Sequence, residues 1–203
     1  IHADSCSVNA RVLQRRIAGL KSDNADVVFA CAALRDWDCR MQRDSTAASI
    51  YATARTFIVA EAIRVALGPM ADEGLAAASG IGRGAATHLG QLGARAIEAM
   101  AVDDVTVLAS GQTWDDMLAG ALSFAMSELR ERLGDDTAAW SWGSLHQTRP
   151  THPLSRVFPD AASWLNPPAI ATHGDSDTPL AGGYALSSPF ACILMSVNRY
   201  IHD

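Results

Sequence analysis

The chain of 203 residues, 49% hydrophobic and 19% charged, has enough apolar content for one sizeable core and too much for a disordered chain. Its net charge of -6 and pI of about 5.4 exclude the basic face that phosphate backbones require, so no nucleic-acid partner is expected. No apolar run approaches the roughly 20 residues needed to cross a bilayer, and no membrane partner is expected.

The opening Ile1-His2-Ala3-Asp4 has neither a basic nor an apolar leader region and no initiator Met, which predicts a chain cut from a longer one. Val8, Val12, Leu13, Ile17 and Leu20 have the spacing of a helix with one buried stripe. Asp23 and Asn24 can cap a second helix containing Val27, Val28, Cys31 and Leu34. Asp44-Ser45 opens a third, with Ala47, Ile50, Tyr51, Ala54, Ile58, Ala62 and Val65 on one face, and Gly68-Pro69 stops it. These three helices are expected to form a compact antiparallel cluster.

The stretch at about 75–93 is rich in Ala and Gly and reads as a flexible linker centred on Ser79–Gly84, followed by a helix through Arg95 and Met100. Thr113 caps a further helix with Leu118, Ala121, Ala125, Leu129 and Leu133 inward, closed by Gly134. After Asp136 helical periodicity fades, and most of the prolines and tryptophans follow. Only 190–201 reads as a strand, almost continuously apolar, as a strand buried on both faces would be. A lone buried strand leaves its backbone groups unpaired, so this one should join a sheet supplied from outside the chain. The expected fold class is α+β and helix-dominated. A helical cluster over 1–135 is followed by an irregular, extended region over 136–203, whose one or two strands belong to a larger sheet.

Four cysteines, Cys6, Cys31, Cys39 and Cys192, form no C-x-x-C pair and fit no zinc spacing. His146 and His152, with His173 and Asp175, are residue types that can ligate zinc. They lie in a proline-rich stretch with no shared helical face, and imidazoles tying irregular backbone beside packed Trp140 and Trp142 fit the pattern better. Gly143 would let backbone approach closely between those rings. Trp37-Asp38 could face a substrate pocket, or be a packed indole and a carboxylate capping nearby amides. Asp36, Asp38 and Asp44 are acidic but lack the calcium-loop pattern. Gly80-Ile81-Gly82-Arg83-Gly84 departs from a dinucleotide loop, and no G-x-S-x-G nucleophile elbow occurs.

Leu34-Arg35-Asp36-Trp37-Asp38, then Arg40-Met41 and Asp44-Ser45-Thr46-Ala47-Ala48-Ser49-Ile50-Tyr51, resemble the "L-x-x-W-D … D-S-x-A-A-x-x-Y" stretch of penicillin acylases. Trp140-Ser141-Trp142-Gly143-Ser144-Leu145-His146, followed by His152-Pro153-Leu154, is similar to that family's "W-x-W-G-x-L-H … H-P-L" signature. Asp4 with Ser7 and Ala10, and Gly174-Asp175-Ser176-Asp177-Thr178, echo its "Q-x-D-x-x-S-x-x-A" and "G-D-x-x-T" segments, and all four occur in family order.

The resemblance implies an N-terminal-nucleophile amidohydrolase, periplasmic or secreted, that splits a linear amide of β-lactam or acyl-homoserine-lactone type into an acyl group and an amine. In such enzymes an N-terminal serine attacks with its own α-amine as base, and an asparagine side chain helps stabilise the oxyanion. Both lie upstream of the segments matched here, so this chain would be an internal part of the larger (β) chain. No catalytic residue is then expected within it, and on its own it would be inactive. Trp37, Asp38, Asp44, Trp140, Trp142, Gly143, His146, His152 and Asp175 would serve as structural motif residues. The implied partners are the small α chain, the rest of the β chain and a small-molecule amide. No cofactor is expected from this chain, although the full-length relatives could hold calcium. The alternative is a non-enzymatic helical interaction module.

Overall fold

A computed structural model describes residues 3–75, 89–186 and 189–195. Helices dominate it: α1 (Val8–Ile17), α2 (Ala25–Arg35), α3 (Thr46–Leu67), α4 (Ala71–Leu75), α5 (Leu89–Ala101) and α6 (Trp114–Leu133). Helices α1, α2, α3 and α6 each begin where a side chain can satisfy free backbone N–H groups. Ser7 Oγ accepts from Ala10 N on α1, Asn24 Oδ1 from Asp26 N on α2, and Ser45 Oγ from Ala48 N on α3. On α6, Thr113 and Asp116 cap each other reciprocally. Gly68 and Gly134 end α3 and α6 at φ +53° and +83°.

The centre of the core is the contact between α3 and α6. Ile50, Tyr51, Ala54 and Ile58 of α3 meet a buried face of α6 formed by Leu118, Ala121, Leu122, Ala125 and Leu129. Helix α2 flanks this pair, and α1 lies against α5 as well as α2, so the expected three-helix cluster is opened by α6 and α5. The buried faces of the first two helices are rotated from the expected ones. Ala10, Leu13 and Ile17 are buried on α1 while Val8 is 68% exposed, and Val27, Ala30 and Leu34 are buried on α2 while Val28 is 54% exposed. Small Ala10 and Ala30 let neighbouring helices approach, which turns the bulkier valines outward. Val65, near the end of α3, is also partly exposed.

The linker reading over 75–93 is corrected at its far end, where α5 has already begun at Leu89; Ser79–Gly84 lies outside the described residues. Among the described residues no helix is long and apolar enough to cross a membrane.

Beyond α6 the chain makes short helical turns, including α7 (Trp142–Leu145) and α8 (Ala162–Leu165), and two small antiparallel ladders. Strand β1 (Gln147–Thr148) pairs with β2 (Ile170–Ala171), and β3 (Gly182–Gly183) pairs with β4 (Leu194–Met195). The strand expected at 190–201 is therefore corrected within its described part. It begins at Leu194, and Ile193, Leu194 and Met195 are 56%, 52% and 46% exposed in the chain taken by itself. The turn through Pro189 and Phe190, with Phe190 at φ +76°, delays the strand. The apolar run contains more side chains than the ladder covers. Residues 196–203 lie outside the described residues.

Candidate functional site: a buried arginine clasp

Position 55 places an arginine on the apolar face of α3, one helical turn beyond Tyr51. Its side chain is 1% exposed, so its charge must be met by protein. Arg55 Nη2 lies 2.8 and 2.9 Å from the two carboxylate oxygens of Asp175 and 2.9 Å from Tyr184 Oη, and Nη1 lies 2.8 Å from Asp177 Oδ2. The same Asp177 oxygen accepts from Ser7 Oγ and Tyr51 Oη, both at 2.8 Å. The cap of α1, the middle of α3 and the 174–184 loop thus meet at one guanidinium.

One cation faces two carboxylates here, and the pair titrates as a unit. Burial drives both carboxyls up. At Asp177 the charge of Arg55 and the donors Ser7 and Tyr51 outweigh burial and hold the group below the usual carboxylate range. At Asp175 burial wins, so the first proton taken up by the pair belongs there. The loop carrying both is self-braced, because Asp175 N donates to Thr178 Oγ1 at 2.9 Å and Thr178 Oγ1 donates to Leu180 O at 2.7 Å.

Beside the clasp lies an aromatic knot. Trp142 stacks on His146 with ring centroids 4.5 Å apart, and Tyr184 and Phe190 close around them edge-on or tilted. Trp142 Nε1 donates to Gly174 O at 2.9 Å. His146 Nδ1 lies 2.8 Å from Phe190 O, a contact that requires Nδ1 to carry the proton and leaves Nε2 bare against the backbone of Gly182. A Cβ at residue 182 would sit 2.6 Å from that nitrogen.

Burial, only partly opposed by the bond to Phe190, pushes the His146 imidazole down from its ordinary 6.5 to about 4. The unfolded chain takes up this proton near 6.5 and the folded chain does not until about 4. The contribution is therefore complete above pH 6.5 and is lost as pH falls through that window, by about 3 kcal/mol in all. The loss of stability between pH 7 and pH 4.5 should be about 2 to 3 kcal/mol smaller in His146→Gln than in the unaltered chain. Equal losses, measured by urea denaturation, would refute a buried neutral His146.

The motif residues expected from sequence divide into two groups. Trp142, His146 and Asp175 come together at the knot and clasp. Trp140 is also buried, with its indole N–H donating to Gly134 O at the end of α6. Trp37 packs at a tilt on Tyr51, 5.5 Å between centroids, and so borders the clasp. Gly143 makes its close approach elsewhere than expected: a Cβ there would meet Arg43 O at 2.9 Å and Ala171 Cβ at 3.0 Å, not the indoles.

The others stay at the surface. Asp38 accepts from Arg40 N in an exposed turn, Asp44 is exposed with Ser45 as the cap of α3, and exposed His152 caps a turn by accepting from Leu154 N. His173 Nδ1 accepts from Arg43 N, so the four candidate zinc ligands have separate partners. Sequence reasoning missed Arg55, Asp177, Tyr184 and Ser7 as members of the site. A charged residue inside an apolar helical stripe was the available signal for Arg55.

The family described as Penicillin amidase matches residues 1–203. The chain belongs to that family. It is 31% identical over 212 residues to the Penicillin acylase 2 proenzyme of Pseudomonas sp. (strain SE83), an alignment that covers all of this chain and 25% of the relative. The chain thus spans about a quarter of the length of that curated relative. The clasp and knot bind the motif stretches of this family member to one another: the residues after Asp44 supply Tyr51 and Arg55, the Trp-Gly-His stretch supplies Trp142 and His146, and the Gly-Asp turn supplies Asp175 and Asp177.

Proposed function

We propose that this chain is the helical wall and internal brace of an acylase that hydrolyses a linear amide to an acyl group and an amine. The nucleophile and its amine base would come from another segment of the same precursor, in the manner of N-terminal-nucleophile hydrolases. The helical part over 1–135 would line the acyl side of the pocket, and the region over 136–203 would hold those helices to the catalytic sheet. Substrates of β-lactam or acyl-homoserine-lactone type, and a periplasmic or secreted location, follow from the same reading.

The observation that carries it is the clasp itself. The side chains of Arg55, Asp175, Asp177, Tyr51 and Tyr184 are buried and engaged with one another, an arrangement suited to fixing positions rather than attacking a substrate. Among the described residues the half-exposed β4 and its two-stranded ladder are also incomplete as a stable sheet, which favours covering strands from the rest of a precursor over an independent interaction module.

The test is an assay with phenylacetyl- and long-acyl amide reporters. The 203-residue chain alone should release no amine above the uncatalysed rate, whereas a precursor containing the flanking segments should do so. Enzyme-like turnover by the chain alone would defeat the brace reading, and an inert precursor would defeat the acylase reading.

A further inference from the structure

A cleft of about 360 Å³ opens beside the aromatic knot, between the end of α6, α7 and the turn at Pro189–Ala191. Its size falls within the range of small-ligand sites. Leu133 and Leu145 supply apolar surface, Phe190 lies buried beneath Arg132 as the floor, and Arg132, Arg149 and Gln147 supply polar groups. No acidic residue is among its described lining, although the whole chain has 22 Asp and Glu against 16 Lys and Arg.

The two arginines are held in different ways. Arg132 lies over the Phe190 ring, 5.4 Å from its centroid, and its Nε is engaged by Glu128 Oε1 at 2.5 Å. That arrangement fixes the guanidinium plane and leaves its two terminal nitrogens without a protein acceptor among the described residues. Arg149 has one side-chain partner among them, the neutral Gln147 Oε1 at 3.3 Å, and no carboxylate. Gln147 is itself anchored, since its Nε2 donates to Gly143 O at 3.0 Å. Phe190 is held through His146, so the floor of the cleft is tied to the buried knot.

From this arrangement we propose that the cleft binds a small organic carboxylate. The anion sits between the Arg132 and Arg149 forks, and the apolar body of the ligand lies against Leu133 and Leu145. Planar guanidinium groups suit a carboxylate because two parallel N–H donors match its two oxygens. The apolar wall distinguishes an organic acid from a bare inorganic anion, which gains nothing from it. The proposal does not depend on the acylase reading, since it concerns binding alone.

Phenylacetate and inorganic phosphate, each titrated calorimetrically into the 203-residue chain, test it. Phenylacetate should bind saturably and more tightly than phosphate. Arg149→Met should weaken phenylacetate binding by at least about tenfold, Arg149→Lys by less, and Arg95→Met on the exposed side of α5 not at all. Arg149 is exposed and outside the core, so loss of binding in a variant with an unchanged circular dichroism spectrum reports on the cleft. No saturable phenylacetate binding, equal affinity in Arg149→Met, or phosphate binding as tightly as phenylacetate would overturn the proposal.

Discussion

Arg55→Met should destabilise the chain by about 3 to 5 kcal/mol, because the methionine fills much of the space while stranding two carboxylates in the core. The cost does not measure the worth of the ion pairs. It arises because Asp175 and Asp177 lose their shared counter-charge while remaining buried, so at least one must take up a proton for the chain to fold. A further consequence follows for pH. With Arg55 gone both carboxyls are pushed up by burial, the variant is helped by acid, and its deficit relative to the unaltered chain should shrink as pH falls from 7 towards 5.

Arg55→Lys should recover only part of the loss, since an ammonium cannot span Asp175, Asp177 and Tyr184 as the planar fork does. The combined change Arg55→Met, Asp175→Asn and Asp177→Asn removes the uncompensated charges together and should be more stable than Arg55→Met alone. Urea denaturation at pH 7 and pH 5 checks all three. A cost below about 1 kcal/mol for Arg55→Met would mean that the clasp does not bear on folding.

Helix positions were largely legible because helices announce their ends locally. Asn24, Ser45 and Thr113 cap as their residue types predict, and Gly68 and Gly134 terminate as expected. Faces were less legible. The spacing of α1 accommodates either a stripe with Val8 and Val12 or one with Ala10, Leu13 and Ile17, and the neighbours α2 and α5 decide between them. The clasp was the least legible. Its two principal partners, Arg55 and Asp175, are 120 residues apart, and no local pattern connects them. The Gly-Asp turn was visible as a motif, but what Asp175 holds emerges only when α3 and the turn are brought together. The start of β4 was misplaced for a related reason, since an apolar run records a tendency to be covered without recording where pairing begins.

Gly174→Ala is expected to be as damaging as any single change to the loop, at about 3 to 5 kcal/mol, from two additive causes. The residue has φ +87°, a conformation that costs an alanine about 1 kcal/mol or more. In addition, its new Cβ would sit 2.0 Å from the backbone oxygen of Leu180. Neither side can give way cheaply. Gly174 N donates to Met41 O at 2.8 Å and its carbonyl accepts from Trp142 Nε1 at 2.9 Å, while Leu180 O accepts from Thr178 and Leu180 N donates to Asp4 O at 2.7 Å.

Gly134→Ala separates the two causes. It has a similar φ of +83° but meets no atom within 4 Å, so it should cost only the backbone part, about 1 to 3 kcal/mol. The Trp142 indole supplies a second readout, because displacement of the Gly174 carbonyl breaks its hydrogen bond and alters tryptophan emission in the native state. Equal denaturation midpoints for Gly174→Ala and Gly134→Ala would show that the loop yields to the added methyl group. The Gly-Asp turn would then be a compliant connection instead of the rigid seat on which Asp175 and Asp177 meet Arg55.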